Sequence, residues 1–269
     1  MSLKANIRKI AKQWLYGNCP GFAGSFPYFG TKVYFPKGDY IFKEACRQGI
    51  YEQDTLYAIM AFAKPGCTVL DVGANIGLLS ASVLESCEGT SVASFEPSPS
   101  VLPFLRKTVA QSPHASRWQL FDCALSDREG KATFSSPPCA MSAFGGLKNT
   151  GRVGGGTTVE VSLRTIDNVW TDLGRPQICV LKCDTEGHEL PVLMGSTSCI
   201  AATRPAIVLE WNRVNLAASN CDPAELMRWA KGNEYEVFTL VGGIPVLSLN
   251  GLSVMVSALN HENFVLLPR

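Results

Sequence analysis

Four stretches of this chain place acidic side chains where they could meet a small ligand. Asp71-Val72-Gly73-Ala74-Asn75-Ile76-Gly77 ends an apolar run that starts at Thr68 and leads into a helical pattern from Leu78. Gly73 allows a tight turn and a close ligand approach, and Gly77 allows a helix to pack tightly on a strand. A dinucleotide fingerprint, G-x-G-x-x-G, would need glycines where Asn75 and Leu78 stand, which argues against NAD and FAD. What remains is an acid at a strand end beside a turn without a phosphate cradle. That suits a cationic amino-acid group, held by Asp71 directly or through water.

Phe95-Glu96-Pro97 closes a second strand-like run from Ser91. A carboxylate at this tip can accept two charge-assisted hydrogen bonds from a ribose diol. An acid before proline also serves as a helix cap. Asp71 and Glu96 together, in order at the ends of two strands, point instead to a nucleoside without phosphates, which is S-adenosylmethionine. A third strand, Trp118 to Phe121, runs into Asp122-Cys123-Ala124, where Asp122 or its neighbours would meet the exocyclic amine of an adenine. Asp127-Arg128-Glu129-Gly130 reads as a turn.

The fourth stretch, Leu181-Lys182-Cys183-Asp184-Thr185-Glu186-Gly187-His188-Glu189, ends an apolar strand with acids and a histidine that folding does not require. Glu189 and His188 also fit the start of a helix, where they would interact with its dipole. Glu210, after Ala206-Ile207-Val208-Leu209, is the next acid at a strand end. Methyl transfer from a sulfonium is an in-line displacement that depends on alignment. An alcohol acceptor gains from a base as its proton becomes acidic. Asp184, Glu186, His188 and Glu210 are the candidate bases, with Asp184 or Glu186 preferred. No metal site is assigned, although a divalent ion held by Asp184, Glu186 and Glu210 is the alternative activator.

The elements that must position these residues alternate. Tyr51 to Ala63 reads as a helix, stopped by Pro65-Gly66. Strands at Thr68–Val72, Ser91–Phe95 and Trp118–Phe121 alternate with helices at Leu78–Glu85 and Val101–Ala110. Further strands follow at Ala132–Phe134, Thr158–Leu163, Cys179–Cys183 and Ala206–Glu210, with helices at Glu189–Met194 and Pro223–Lys231. Glu236–Leu240, Val246–Leu249 and Phe264–Leu267 close the chain as strands. Such alternation predicts an open α/β sheet. Upstream, Lys32–Phe35 and Tyr40–Phe42 look strand-like. Ser135 to Gly156 carries six glycines and two prolines and reads as a mobile loop.

Composition limits the partners. Lysine and arginine number 24 against 23 aspartates and glutamates, a net charge of +1, so no global field favours nucleic acid or an anionic membrane. Hydrophobic residues at 46% exclude wholesale disorder. The length of 269 residues fits an N-terminal cap over 1–50 and one domain over 51–269. No apolar run is long enough to span a membrane. Lys4, Arg8, Lys9 and Lys12 interrupt any signal peptide, so a cytoplasmic location is expected. The same segment fits an amphipathic helix with Leu3, Ile7, Ile10, Trp14 and Leu15 on one face. Ten cysteines without C-x-x-C spacing are expected to be reduced thiols.

From Gly49-Ile50-Tyr51-Glu52 to Glu210 the sequence resembles the FkbM-type family of S-adenosylmethionine-dependent methyltransferases. Asp71 to Gly77, Phe95-Glu96-Pro97, Ala124-Leu125-Ser126-Asp127 and Leu181 to Glu189 carry the resemblance, in the family's order. Cys183 and Thr185 stand where the family pattern has Ile and Val. The resemblance implies a Rossmann-like class I methyltransferase fold: α/β, with a mostly parallel seven-stranded sheet, helices on both faces and the N-terminal cap. It implies O-methylation of a hydroxyl on a small-molecule acceptor, a sugar or secondary metabolite. The cofactor-binding set is then Glu52, Asp71, Gly73, Asn75, Gly77, Glu96, Pro97, Asp122, Cys123, Ala124 and Asp184. The aromatic-rich Phe22 to Phe42 and the Ser135–Gly156 loop are expected to wall the acceptor site. A binding protein without catalysis and a nicotinamide-dependent dehydrogenase are the other readings. No oligomeric state is read from the sequence.

Overall fold

The structure, a computed structural model, describes residues 23–148 and 150–269. It opens with a hairpin of β1 (Gly24–Tyr28) and β2 (Thr31–Phe35), followed by α1 (Tyr40–Gln48) and α2 (Gln53–Phe62). Then β3 (Thr68–Val72), α3 (Leu78–Ser86), β4 (Ser91–Phe95), α4 (Leu102–Gln111) and β5 (Trp118–Phe121) alternate. β6 (Ala124–Leu125), β7 (Gly130–Ser136) and β8 (Thr157–Arg164) form a separate three-stranded sheet. Next come α5 (Ile166–Asp172), β9 (Ile178–Cys183), α6 (Glu189–Met194), α7 (Thr197–Thr203) and β10 (Ala206–Glu210). The chain closes with α8 (Arg213–Ser219), α9 (Glu225–Gly232), β11 (Tyr235–Thr239), α10 (Leu249–Ser257) and β12 (Asn263–Pro268).

The main sheet has seven strands in the order β11-β12-β10-β9-β3-β4-β5. β12 runs antiparallel to both its neighbours, and the pairs from β10 to β5 are parallel. Apolar side chains of successive strand residues point to opposite faces, so both faces are buried, as a central parallel sheet requires. Val69, Val92, Val180 and Val208 join one core with α1 to α4 and the β1–β2 hairpin. Leu70, Ala93, Leu181 and Ile207 join the other, with α5, α6, α7, α9 and α10. β3 pairs with β4 on one side and β9 on the other, so the chain reverses its direction across the sheet at β3. The crevice beyond the carboxyl ends at such a reversal is where open α/β sheets hold ligands.

Several expectations need correction. Tyr40–Phe42 is not a strand but the start of α1, capped by Asp39, whose Oδ1 accepts the Phe42 N–H at 2.6 Å. Its buried Ile41, Phe42, Ala45 and Cys46 recur with the helical period, which three residues alone cannot reveal. Val246–Leu249 forms no strand: Ser248 caps α10, and Val246 makes one N–H bond to Val237 at 2.8 Å. The Ser135–Gly156 stretch contains the end of β7 and a 3₁₀ turn at Cys139–Phe144, and Ser135 bridges to Gly146. Cys67 and Cys179 are not free thiols but a disulfide, with Cα atoms 5.8 Å apart. They stand at the start of the neighbouring strands β3 and β9, a proximity that only register discloses. The amphipathic N-terminal helix lies outside the described residues. Among the described residues no helix is long and apolar enough to cross a membrane.

Candidate active site

A cleft opens at the carboxyl ends of β3, β4 and β9. It is built first by a buried polar chain. The Trp118 indole N–H donates to Ser94 Oγ at 2.8 Å, Ser94 meets Ser80 Oγ at 2.7 Å, and Ser80 donates to Asp71 Oδ2 at 2.5 Å. Because the Ser80 proton goes to the carboxylate, the Ser94 hydroxyl must donate to Ser80. The chain fixes Asp71, which is 1% exposed, while its other oxygen, Oδ1, has no hydrogen-bond partner among the described residues.

Lys182 stands opposite Asp71 in the β3–β9 register. Its Nζ donates to the Gly73 carbonyl at 3.3 Å and lies 3.7 Å from Asp71 Oδ1 and 3.6 Å from Asp184 Oδ2. Burial opposes its charge, but Asp184, Asp71 and Glu52 hold the ammonium above its ordinary range. Gly73, at φ +84°, tucks against β9: a Cβ there would lie 1.9 Å from the Asp184 carbonyl oxygen. The absent side chain therefore serves a backbone contact. At Gly77 a Cβ would press on Leu105 and Trp118, so this glycine packs helix on sheet and does not line the cleft.

Glu96 and Pro97 line the cleft from the tip of β4, beside Asn75. Glu96 Oε2 accepts the Asn75 N–H at 2.9 Å and Oε1 the Ser98 N–H at 2.8 Å. Burial pushes this carboxyl up to about 7, against the pull of those two donors. Glu52 also lines the cleft, in left-handed backbone at φ +48°, and burial raises its carboxyl despite Lys182. Cys123 and Ala124 are on the wall, but Asp122 is not; its carboxylate pairs with Arg106 at 2.6 Å on the surface.

Asp184, Glu186 and His188 all face the cleft. Glu189 shapes the loop that carries them. Its Oε1 accepts the Thr185 N–H at 2.8 Å, the Thr185 hydroxyl at 3.0 Å and the Gly187 N–H at 3.2 Å. Burial, with Asp184 beside it, lifts Glu186 to about 8, although Arg152 donates to its Oε2 at 2.9 Å. Burial holds His188 down at about 4, and its Nε2 sits 2.9 Å from Ser126 Oγ. Glu210 is not on the cleft wall; Asn215 donates to its Oε2 at 2.7 Å, and burial, with Asp184 and Glu186 near, raises it well above the usual range. Asp184, Glu186 and Glu210 nonetheless bring one oxygen each within 4.8 Å of the others. Ile41, Ser142 and Leu147 also line the cleft, with Asn75 Nδ2 3.3 Å from Ser142 Oγ.

Residues 71–238 match the sequence profile of the methyltransferase FkbM domain. The chain belongs to the FkbM methyltransferase family. Its sheet order and the helices on both faces are the Rossmann-like class I methyltransferase fold. A curated relative, 31-O-demethyl-FK506 methyltransferase of Streptomyces tacrolimicus, is 30% identical over 49% of this chain and 60% of its own length. The AMB antimetabolite synthetase AmbE of Pseudomonas aeruginosa is 28% identical over 64% of this chain but 9% of its own length. This FkbM-family chain thus spans less than two thirds of both. An FkbM methyltransferase structure from Methylobacillus flagellatus covers 85% of this chain and 55% of its own, at 15% identity and a TM-score of 0.48.

Two residues of the site escaped the sequence reading. Local pattern gives Lys182 no role, although a charge inside an otherwise apolar parallel strand is itself a signal. Glu189 fits a helix dipole in sequence, whereas in the structure it organises the loop before its helix.

Proposed function

We propose that this protein uses S-adenosylmethionine to methylate a hydroxyl of a small molecule, a sugar or secondary metabolite. The observation that carries the reading is that Asp71 and Glu96, carboxylates at the tips of adjacent parallel strands, open into one cleft without a phosphate cradle. The residues fit the cofactor. Asp71 Oδ1 is a buried acceptor with no hydrogen-bond donor among the described residues, and each Glu96 oxygen has one backbone donor and capacity for a second. When bound, the cofactor would supply an electrophilic methyl group on a sulfonium.

The chain's own part is to hold and deprotonate the acceptor. Glu96 takes the ribose hydroxyls, the glycine turn and Asp71 take the amino-acid end, and Cys123 and Ala124 border the base. Asp184 is the preferred base: its side chain is 30% exposed, at the cleft, so an acceptor O–H could reach a carboxylate oxygen. Glu186 is tied to Arg152, and burial raises its carboxyl above the ordinary range. Neutral His188, fixed by Ser126, is the second candidate. The apolar wall of Ile41, Phe134 and Leu147 suits a carbon-rich acceptor. Oxygen as the methylated atom is supported by the Streptomyces relative, a 31-O-demethyl-FK506 methyltransferase.

Asp184→Asn tests the assignment. Turnover should fall by about 10²–10⁴-fold, the usual worth of a general base, while S-adenosylhomocysteine binds within a few-fold of wild type. Loss of binding would instead make Asp184 a cofactor ligand. A wild-type protein that binds S-adenosylhomocysteine yet transfers no label to any hydroxyl compound would favour the binding-protein reading.

A further inference from the structure

We propose that Lys182 is a cofactor-binding residue whose ammonium receives the α-carboxylate of the cofactor's amino-acid end, with Asp71 Oδ1 opposite it for the ammonium. The proposal rests on the S-adenosylmethionine reading of the cleft. An ammonium has three donors, and Lys182 Nζ spends one on the Gly73 carbonyl at 3.3 Å. The two carboxylate oxygens at 3.6 and 3.7 Å are too far for direct hydrogen bonds. Among the described residues, two buried donors are therefore left over beside a buried acceptor, Asp71 Oδ1, that has no donor.

All three groups line the cleft at the glycine turn. Lys182 and Asp71 form an ion pair at 3.7 Å, too long for a direct hydrogen bond, so the cation keeps open donors and the anion an open acceptor, the complement of a zwitterion. A free amino-acid group carries both charges on one carbon, so it can satisfy both sides at once. An uncharged group in that place would leave those hydrogen bonds unmade, at a cost that burial makes larger. Lys182 thus selects for the amino-acid tail, whereas Glu96 on the next strand selects for the sugar.

Calorimetric titration of three probes tests this: S-adenosylhomocysteine, its decarboxylated analogue, and 5′-methylthioadenosine, which lacks the amino-acid end. Wild type should bind S-adenosylhomocysteine about 10- to 100-fold more tightly than the decarboxylated analogue, the worth of hydrogen bonds to a charged group. In Lys182→Met that preference should vanish, while 5′-methylthioadenosine binds as in wild type. Lys182→Arg should restore part of the preference. The wild-type comparison stands even if Lys182→Met does not fold. Equal wild-type affinity for the first two probes would overturn the proposal. So would a Lys182→Met protein that loses 5′-methylthioadenosine along with S-adenosylhomocysteine, because Lys182 would then only brace the glycine turn. If wild type bound 5′-methylthioadenosine but gained nothing from the tail, this proposal alone would fail. If it bound none of the three, the cofactor reading itself would fail and take the proposal with it.

Discussion

Glu96 at the tip of β4 and Asn75 in the turn after β3 are joined by a backbone hydrogen bond, Asn75 N–H to Glu96 Oε2 at 2.9 Å. The bond crosses from one strand tip to the next, so the acid assigned to the ribose also holds the turn assigned to the amino-acid end. Asn75 sits at φ +49°, a left-handed conformation that asparagine tolerates well. The two halves of the proposed cofactor site are thereby one mechanical unit.

The free protein should lose stability as pH rises from about 6.5 to 8. Burial raises Asp39, Glu96 and Glu189 to about 7 and Glu186 to about 8. A carboxyl raised by folding binds its proton more tightly folded than unfolded, so its contribution is complete at low pH and disappears through the folded value. His188, depressed to about 4, acts in the opposite sense, but its effect is complete above its unfolded value of 6.5. Thermal unfolding of the ligand-free protein measures the sum. A melting temperature that climbs over this window would contradict it.

Gly73→Ala should destabilise the fold by on the order of 2–4 kcal/mol, combining left-handed strain with overpacking. The added Cβ meets a backbone carbonyl at 1.9 Å, which cannot rotate away as a side chain would. Urea denaturation reads the change. A shift below about 0.5 kcal/mol would mean that β9 yields easily, against the burial of that strand.

Reduction of Cys67–Cys179, or Cys179→Ser, should lower stability without changing the affinity for S-adenosylhomocysteine. The bridge joins residues 112 apart, for which the chain-entropy model gives a ceiling of about 5 kcal/mol. It lies at the amino ends of β3 and β9, away from the cleft at their carboxyl ends. Denaturation with and without dithiothreitol measures the first effect and calorimetry the second. Unchanged stability would contradict the cross-link.

Turnover is expected to survive EDTA. Arg152 already donates to Glu186 and Asn215 to Glu210, so two of the three clustered acids have partners from the chain. Activity lost to EDTA and restored by magnesium would place an ion among Asp184, Glu186 and Glu210.

Asp71 and Glu96 were readable because each ends a short apolar run, and a run of that kind fixes both a buried parallel strand and its tip. Asp184, Glu186 and His188 were readable for the same reason. Asp122 lies off the cleft because the two residues joining β5 to β6 face opposite ways: Cys123 is buried at the cleft, while Asp122 turns to Arg106 and solvent. Glu210 ends β10 as expected, yet Asn215 holds its carboxylate off the wall. The pairing of Lys182 with Asp71, and of Cys67 with Cys179, depends on register between strands more than a hundred residues apart. Local pattern carries no register. The seven-residue helices α5, α7 and α8 are too short to show a clear period, and the start of α10 overlaps the Val246–Leu249 run that reads as a strand.

The most direct test of the account is calorimetric titration of wild type and Glu96→Ala with S-adenosylhomocysteine. The wild-type protein should bind one equivalent, and Glu96→Ala should bind about 10- to 100-fold more weakly, as expected for loss of hydrogen bonds to a charged acceptor. No binding to wild type, or equal affinity in the two proteins, would contradict the claim that strand-tip carboxylates hold a phosphate-free nucleoside.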